Sequence, residues 1–269
     1  MITVTSGAKS GPSKERQFER ALRELRQRIL SGEFQPDQHL SETAAAGLIG
    51  ISRTPLREAM AHLVDEGLLE RAPSGRCTVR QFSRDDIIDA IEFRGVLEGT
   101  VARIAAERGA DPDHLDACRR IIDQIDIALG ATEAEIEFDR YTELNAQFHD
   151  HLARLSGSGV LEKEALRAHR LPLASPNAFL QSQAGVAAVR RSLYLAQAQH
   201  KAMIEAVALR QGSRAEAVAR EHARLARENF DHVLFAGRDL ADEIPGLSLV
   251  AAGTEADQEH ISTHPGRTS

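Results

Sequence analysis
Tryptophan is absent from this 269-residue chain, and aromatic residues make up only 4% of it. Ala, Leu, Arg and Glu recur instead, a helix-forming mixture in which 42% of residues are hydrophobic, and this predicts a mainly α protein. No apolar run approaches the roughly 20 residues that a membrane span needs, and the opening MITVTSGAKSGPS has no apolar stretch of signal-peptide length. A cytoplasmic protein with no membrane partner is expected. Cys77 and Cys118 stand far apart without CxxC spacing, which fits a reducing compartment and argues against a structural zinc finger. Internal repeats, a Gly-rich phosphate loop, and GxSxG or HExxH motifs are also missing.

The chain is long enough for two domains, each with its own core. Its net charge of −7 speaks at first against a nucleic-acid partner, but the charge is unevenly spread. Residues 14–80 hold 11 Lys/Arg against 10 Asp/Glu, whereas 81–269 hold 21 against 30. Any contact with a polyanion must come from arginines clustered in the first eighty residues.

From Arg16 the apolar residues Phe18, Leu22, Leu25, Ile29 and Leu30 recur at helical spacing until Ser31-Gly32. A second helix follows in SETAAAGLIG, with Ser41 able to cap it and Gly50 as its stop. The next, SRTPLREAMAHLVDEGLL, starts at Ser52 with Pro55 in its first turn, and its stripe is Leu56, Ala59, Met60, Leu63 and Val64. LLER and CTVRQF, separated by APSG, read as a hairpin. This is a winged helix-turn-helix pattern, expected over residues 16–82 after a flexible 1–15. Arg53 and Arg57 lie four apart on one face of the recognition helix beside Ser52 and Thr54, and Arg76 sits with Gly75 at the hairpin tip. Arg reads guanine bidentately, so these six are the expected DNA contacts. Glu58, Asp65 and Glu66 must turn away.

SETAAAGLIGISRTPLREAMAHLVDEGLLER resembles the winged helix-turn-helix of the GntR family of bacterial transcription regulators. The chain departs from that pattern at Thr43, where the family usually has a charged residue, and at Gly75, one position before the usual glycine.

After Ser83 the pattern is helical, at about 84–108, 112–129, 133–156, 159–169, 187–211 and 213–235, with LPLASPN as the longest loop. Six helices with short connections predict an all-α six-helix bundle over 83–236, followed by a mobile tail at 237–269. In NAQFHDHL, Tyr141, Leu144, Phe148 and Leu152 form the apolar stripe. Asn145 and His149 line one edge of it and His151 the other, so periodicity alone does not choose between the histidines. His200 and His222 occupy core-facing stripes of two further helices. A metal shared between inward-pointing imidazoles satisfies several at once, with Asn145, His149, His200 and His222 as a four-ligand set. His62, His114 and His169 are expected at the surface.

The second unit resembles the effector domain of the FadR subfamily, called FCD, which is all-helical and commonly binds a divalent metal through an acidic residue and three histidines. The resemblance implies that Asn145 and His149 stand at its D-x-x-x-H positions and His200 and His222 at its later ligands, with a Zn, Ni or Mn class ion. Asn145 departs from it, and a neutral amide leaves the full charge of the ion to attract an anion, so a small organic acid effector is expected. Arg94 shares the inward face of its helix with Glu98. It either forms an internal ion pair with Glu98 or, as the resemblance implies, holds the effector's carboxylate. The expected function is a homodimeric, ligand-responsive repressor on a palindromic operator. The alternatives are a helical metalloenzyme, against which Glu143 and Asp150 fall on the polar face and offer no base, and a metal sensor.

Overall fold
The computed structural model describes residues 14–178, 180, 187–235 and 246–251. They fall into two compact units that divide between Gln81 and Phe82. None of the described helices is long and apolar enough to cross a membrane.

The first unit contains α1 (Lys14–Leu30), α2 (Glu42–Ile49), α3 (Arg53–Asp65), β1 (Leu69–Arg71) and β2 (Cys77–Val79). Ala21, Leu25 and Ile29, spaced by four, bury one face of α1, which packs on α3. From α3, Leu56, Ala59, Met60 and Leu63 enter the same core. Glu66, just past α3, is buried because the Arg26 guanidinium donates to both its oxygens, at 2.7 and 2.8 Å. The sharp link between α2 and α3 rests on Gly50 at φ +70°, whose N–H returns to the Ala46 carbonyl at 2.9 Å.

β1 and β2 pair antiparallel with Leu69 opposite Val79. Their turn closes from the Gly75 N–H to the Ala72 carbonyl at 2.8 Å, with Gly75 at φ +81°. The segment that reads as a loop around Pro36 adds a third edge to this wing, since Leu40 N–H donates to Cys77 O and Asp37 N–H to Val79 O, each at 2.9 Å. Four polar-rich residues carry no strand periodicity, so the pairing is invisible in the sequence.

The second unit contains α4 (Arg84–Arg108), α5 (Pro112–Leu129), α6 (Phe138–Arg154), α7 (Gly159–Ala168), α8 (Ala187–Ala208) and α9 (Gly212–Phe235). Ser83 and Asp86 form a reciprocal capping box that starts α4. The helix expected from residue 133 begins at Phe138. The Glu135 carboxylate takes the Ala131 N–H and the Thr132 hydroxyl, both at 3.0 Å, and ties 131–135 into a turn.

α4 and α9 approach closely because α4 presents glycine to α9. A Cβ on Gly95 would stand 2.8 Å from the Ala223 Cβ, and one on Gly99 would stand 3.2 Å from Glu216 and Arg220 atoms. The expected mobile tail needs correction at residues 246–251. A short 3₁₀ helix, Leu247–Leu249, buries Leu249 completely, and Phe82 N–H donates to its carbonyl at 2.8 Å. An apolar side chain with a buried site is held in place whatever the composition around it. The flexible 1–15 expected at the N-terminus lies outside the described residues, except for Lys14 and Glu15, which open α1.

Candidate metal and effector site
His149 on α6, His200 on α8 and His222 on α9 converge, with 1%, 0% and 7% of their surface exposed. The Nε2 atom of His222 lies 3.1 Å from that of His200 and 3.3 Å from that of His149. Ligand nitrogens about 2.0–2.1 Å from a tetrahedral ion stand about 3.3 Å apart.

What surrounds the rings decides which nitrogen carries the proton. Nδ1 of His149 faces Glu98 Oε1 at 2.8 Å, Nδ1 of His200 faces Gln197 Oε1 at 3.2 Å, and Nδ1 of His222 faces Gln199 Oε1 at 3.2 Å. The Gln197 amide has no freedom to turn, since its NH2 donates to the Ile122 carbonyl and Asp126 Oδ1 at 2.9 and 2.8 Å. Each ring therefore donates from Nδ1 and directs the Nε2 lone pair at the other two. Burial pushes all three pKa values down, His200 well below the imidazole range and His222 to about 3, so the rings are neutral. Three mutually facing lone pairs lack a donor. A cation supplies what the arrangement wants.

Asn145, one turn before His149, is 3% exposed. Its NH2 donates to Asn177 Oδ1 at 2.8 Å and Pro176 O at 3.3 Å, and Asn177 is itself locked by donating to Thr142 O at 2.7 Å. The Asn145 amide is thereby turned so that Oδ1 has no partner. Five buried side-chain polar atoms lack a partner among the described residues. Four of them, Asn145 Oδ1, Arg94 Nε, Glu98 Oε2 and His169 Nδ1, belong to this neighbourhood, and such atoms mark a missing ligand or a functional strain. Arg94 is 1% exposed and lines a pocket that also takes in Asn145 and His222. Desolvation lowers its pKa, and the Glu98 charge acts in the opposite direction.

In the first unit, Ser52 takes the extended N-cap backbone of α3, but its hydroxyl makes no cap hydrogen bond. Ser52, Arg53, Thr54 and Arg57 are exposed at that helix start, and Gly75 and Arg76 are exposed at the wing tip. Glu42 from α2 holds Arg57 Nε at 3.2 Å and Arg53 at 3.9 Å. Exposed pairs of this kind contribute under about 1 kcal/mol, so both arginines can exchange partners readily.

The sequence pattern described as "Bacterial regulatory proteins, gntR family" matches residues 17–79, and that described as "FCD domain" matches 89–225, half of the chain. The chain belongs to the GntR family. As a GntR-family chain with an FCD domain it is similar to the Nta operon transcriptional regulator of Aminobacter aminovorans, 28% identical over 50% of this chain and 61% of that one. It is also similar to the HTH-type transcriptional repressor GlaR of Escherichia coli, 26% identical over 74% of this chain and 88% of the repressor. The chain spans 54–61% of the length of the first four curated relatives. The solved structure of E. coli McbR/YncC has the same fold, with a TM-score of 0.55, 17% identity, and coverage of 82% of this chain and 97% of that one.

Sequence reasoning placed the three histidines and Asn145 of this GntR-family chain together, and left Arg94 between two roles. No Arg94–Glu98 ion pair forms. The two charges feel each other, but Glu98 Oε1 accepts from His149 Nδ1 and His169 Nε2, both at 2.8 Å. Burial alone would raise the Glu98 pKa. The His149 and Arg94 charges and the two imidazole hydrogen bonds outweigh it and hold the carboxyl well below its usual range.

His169 is not at the surface. Its side chain is 8% exposed, and although burial opposes the charge, the Asp150 carboxylate 3.8 Å from Nδ1 and the hydrogen bond from Nε2 to Glu98 raise its pKa. His114 is half-buried against His151, Nδ1 to Nδ1 at 3.0 Å, and His62 stacks on Phe18 with ring centres 5.9 Å apart. Gln197 lies three residues before His200, a helical neighbour readable in the sequence. Gln199, the neighbour of His200 on α8, reaches across to His222 on α9, and His169 comes from just past α7, and nothing local announces either contact.

Proposed function
We propose that this chain is a ligand-responsive transcription regulator, in its main action a repressor, and not an enzyme. It works in the cytoplasm as a homodimer whose two α3 helices enter successive major grooves of a palindromic operator. Arg53 and Arg57 read base edges, and Ser52, Thr54 and the Gly75-Arg76 wing tip contact the backbone or minor groove. Asn145, His149, His200 and His222 hold a divalent ion of the Zn, Ni or Mn class, which supplies a fixed positive charge beside Arg94. A small organic carboxylate binds there and releases the DNA by favouring one dimer geometry over another.

The observation that carries the sensing half of this reading is the convergence of three neutral Nε2 atoms next to an unpartnered amide oxygen. The fit is chemical as well as spatial, because three nitrogens and one oxygen are a competent zinc-type donor set. Arg94 beside it, buried with its Nε unpartnered among the described residues, supports an anion.

The test has two arms. Full-length protein is used to select sites from a random duplex DNA pool, and Arg57→Ala is then titrated against the selected site. A loss of about 1–3 kcal/mol, with relaxed preference at one base position, is expected; unchanged binding removes Arg57 from the reading. Metal content of His200→Ala/His222→Ala, measured by emission spectrometry after dialysis against Zn2+, should fall to background. Content equal to wild type overturns the ligand assignment.

A further inference from the structure
The Asn145 side chain is not free to choose which end it offers. A carboxamide has an acceptor end and a donor end, and a half-turn of the group exchanges them. Two main-chain carbonyls remove that freedom here. The Thr142 carbonyl can only accept, so Asn177 meets it with its NH2, at 2.7 Å, and turns its own oxygen to Asn145. Asn145 answers that oxygen with its NH2 at 2.8 Å, and the Pro176 carbonyl receives the same NH2 at 3.3 Å. A reversed Asn145 amide would set its oxygen against two acceptors. Oδ1 is therefore the end left over, buried and without a partner among the described residues, on a side chain that lines one pocket with His222 and Arg94.

The same surroundings oppose a charged ligand at this place. A carboxylate has no NH2 to give, and it would press an oxygen on Asn177 Oδ1 and Pro176 O, which the amide now satisfies. Asn145 and Asn177 are thus a matched pair: the second accepts the first only as a neutral group. The match also bears on which ion the site prefers. Imidazoles suit borderline ions such as Zn2+ and Ni2+, whereas Mn2+ depends more on carboxylate ligands.

We infer that Asn177, from the turns between α7 and α8, is a positioning residue of the metal site: it fixes Asn145 as a neutral oxygen donor and so biases the site towards Zn2+ and Ni2+ and away from Mn2+. This inference rests on the four-ligand reading above and narrows its class of ion.

The test is a double-mutant cycle on the full chain, with Zn2+ and Mn2+ titrated separately against a chromophoric chelator and the metal-free proteins melted alongside. Asn177→Ala should weaken Zn2+ binding about tenfold, and by less than about twofold once Asn145→Ala has removed the amide that it orients. Equal weakening in both backgrounds is what a merely structural role would give, and it overturns the inference. Without metal, Asn177→Ala should melt below wild type, whereas adding it to Asn145→Asp should raise the melting temperature, because an opposed oxygen is removed; the same sign in both backgrounds overturns the amide orientation. The preference for Zn2+ over Mn2+ should shrink about tenfold in Asn145→Asp/Asn177→Ala relative to wild type, and an unchanged preference overturns the selectivity. If Asn177→Ala does not fold, Asn177→Leu, which keeps the bulk, takes its place in the cycle. Zn2+ binding that is present in wild type, lost in His200→Ala/His222→Ala and untouched by Asn177 overturns this inference alone. No Zn2+ binding by wild type overturns the four-ligand reading and the inference with it.

Discussion

Glu98→Gln isolates the part of the metal site that touches no metal. The carboxylate takes an N–H from His149 and another from His169, each at 2.8 Å, and so decides which nitrogen of His149 faces the cluster. Gln keeps the shape and one oxygen but removes the charge. A hydrogen bond to a charged acceptor contributes about 1.5–3 kcal/mol and a neutral one about 0.5–1.5, so the His149 contact should weaken by about 1 kcal/mol or more. Loss of such an outer partner typically lowers metal affinity by about 10–100-fold, or about 1.4–2.7 kcal/mol. Fold stability without metal should move less, because a neutral amide is cheaper to bury than a carboxylate, which offsets part of the lost bonding. The assay is Zn2+ titration of the full chain in competition with a chromophoric chelator, with thermal melts of the metal-free protein as control. A zinc Kd within about twofold of wild type, in a variant that melts normally, would refute the reasoning that Glu98 orients His149.

Three other perturbations separate the forces involved. Asn145→Asp places a carboxylate against Asn177 Oδ1 and Pro176 O, where the amide now donates at 2.8 and 3.3 Å, so the metal-free protein should lose about 1–3 kcal/mol. The same change supplies a charged ligand oxygen, and the rise in melting temperature on adding Zn2+ should exceed that of wild type; a smaller rise would place Oδ1 away from the ion. Gly95→Ala forces a Cβ to 2.8 Å from Ala223, next to His222, and should cost about 1–3 kcal/mol by chemical denaturation and weaken zinc binding with it. Unchanged stability would mean that α4 and α9 are not held at that distance.

The third concerns acid. The folded pKa values of His149, His200 and His222 lie below 6.5, the last at about 3, while the unfolded chain takes up these protons near 6.5. Below that pH the unfolded state binds more protons, so metal-free stability falls as pH drops, by up to about 1.4 kcal/mol per pH unit for each ring. His169, raised, acts oppositely: its contribution is present below 6.5 and is lost as pH rises through its folded value. Calorimetric melts of the metal-free chain should fall steadily from pH 6.5 to 4.5, and a flat profile would contradict neutral burial of the three rings.

Much of this protein was written locally in the chain. The recognition-helix start at Ser52 to Arg57, the Ser83 cap, the Gly50 stop and the helical stripes follow from backbone sterics and from apolar residues recurring every three or four positions, which a linear sequence displays directly. The inward bearing of His200 and His222 is of the same kind, since each shares a stripe with residues that must be buried, whereas His149, at a stripe edge as His151 is, is not singled out by periodicity. Tertiary packing decided the rest. Only with α4 pressed against α9 through Gly95 and Gly99 does Glu98 find His149 and His169 instead of Arg94, four residues away on its own helix. The choice of partner for a buried charge depends on which donors other segments bring within about 3 Å, and helical spacing carries no information about that. The same physics drew His169 inside, turned the Asn145 oxygen loose, and left the Arg94 Nε buried without a partner among the described residues.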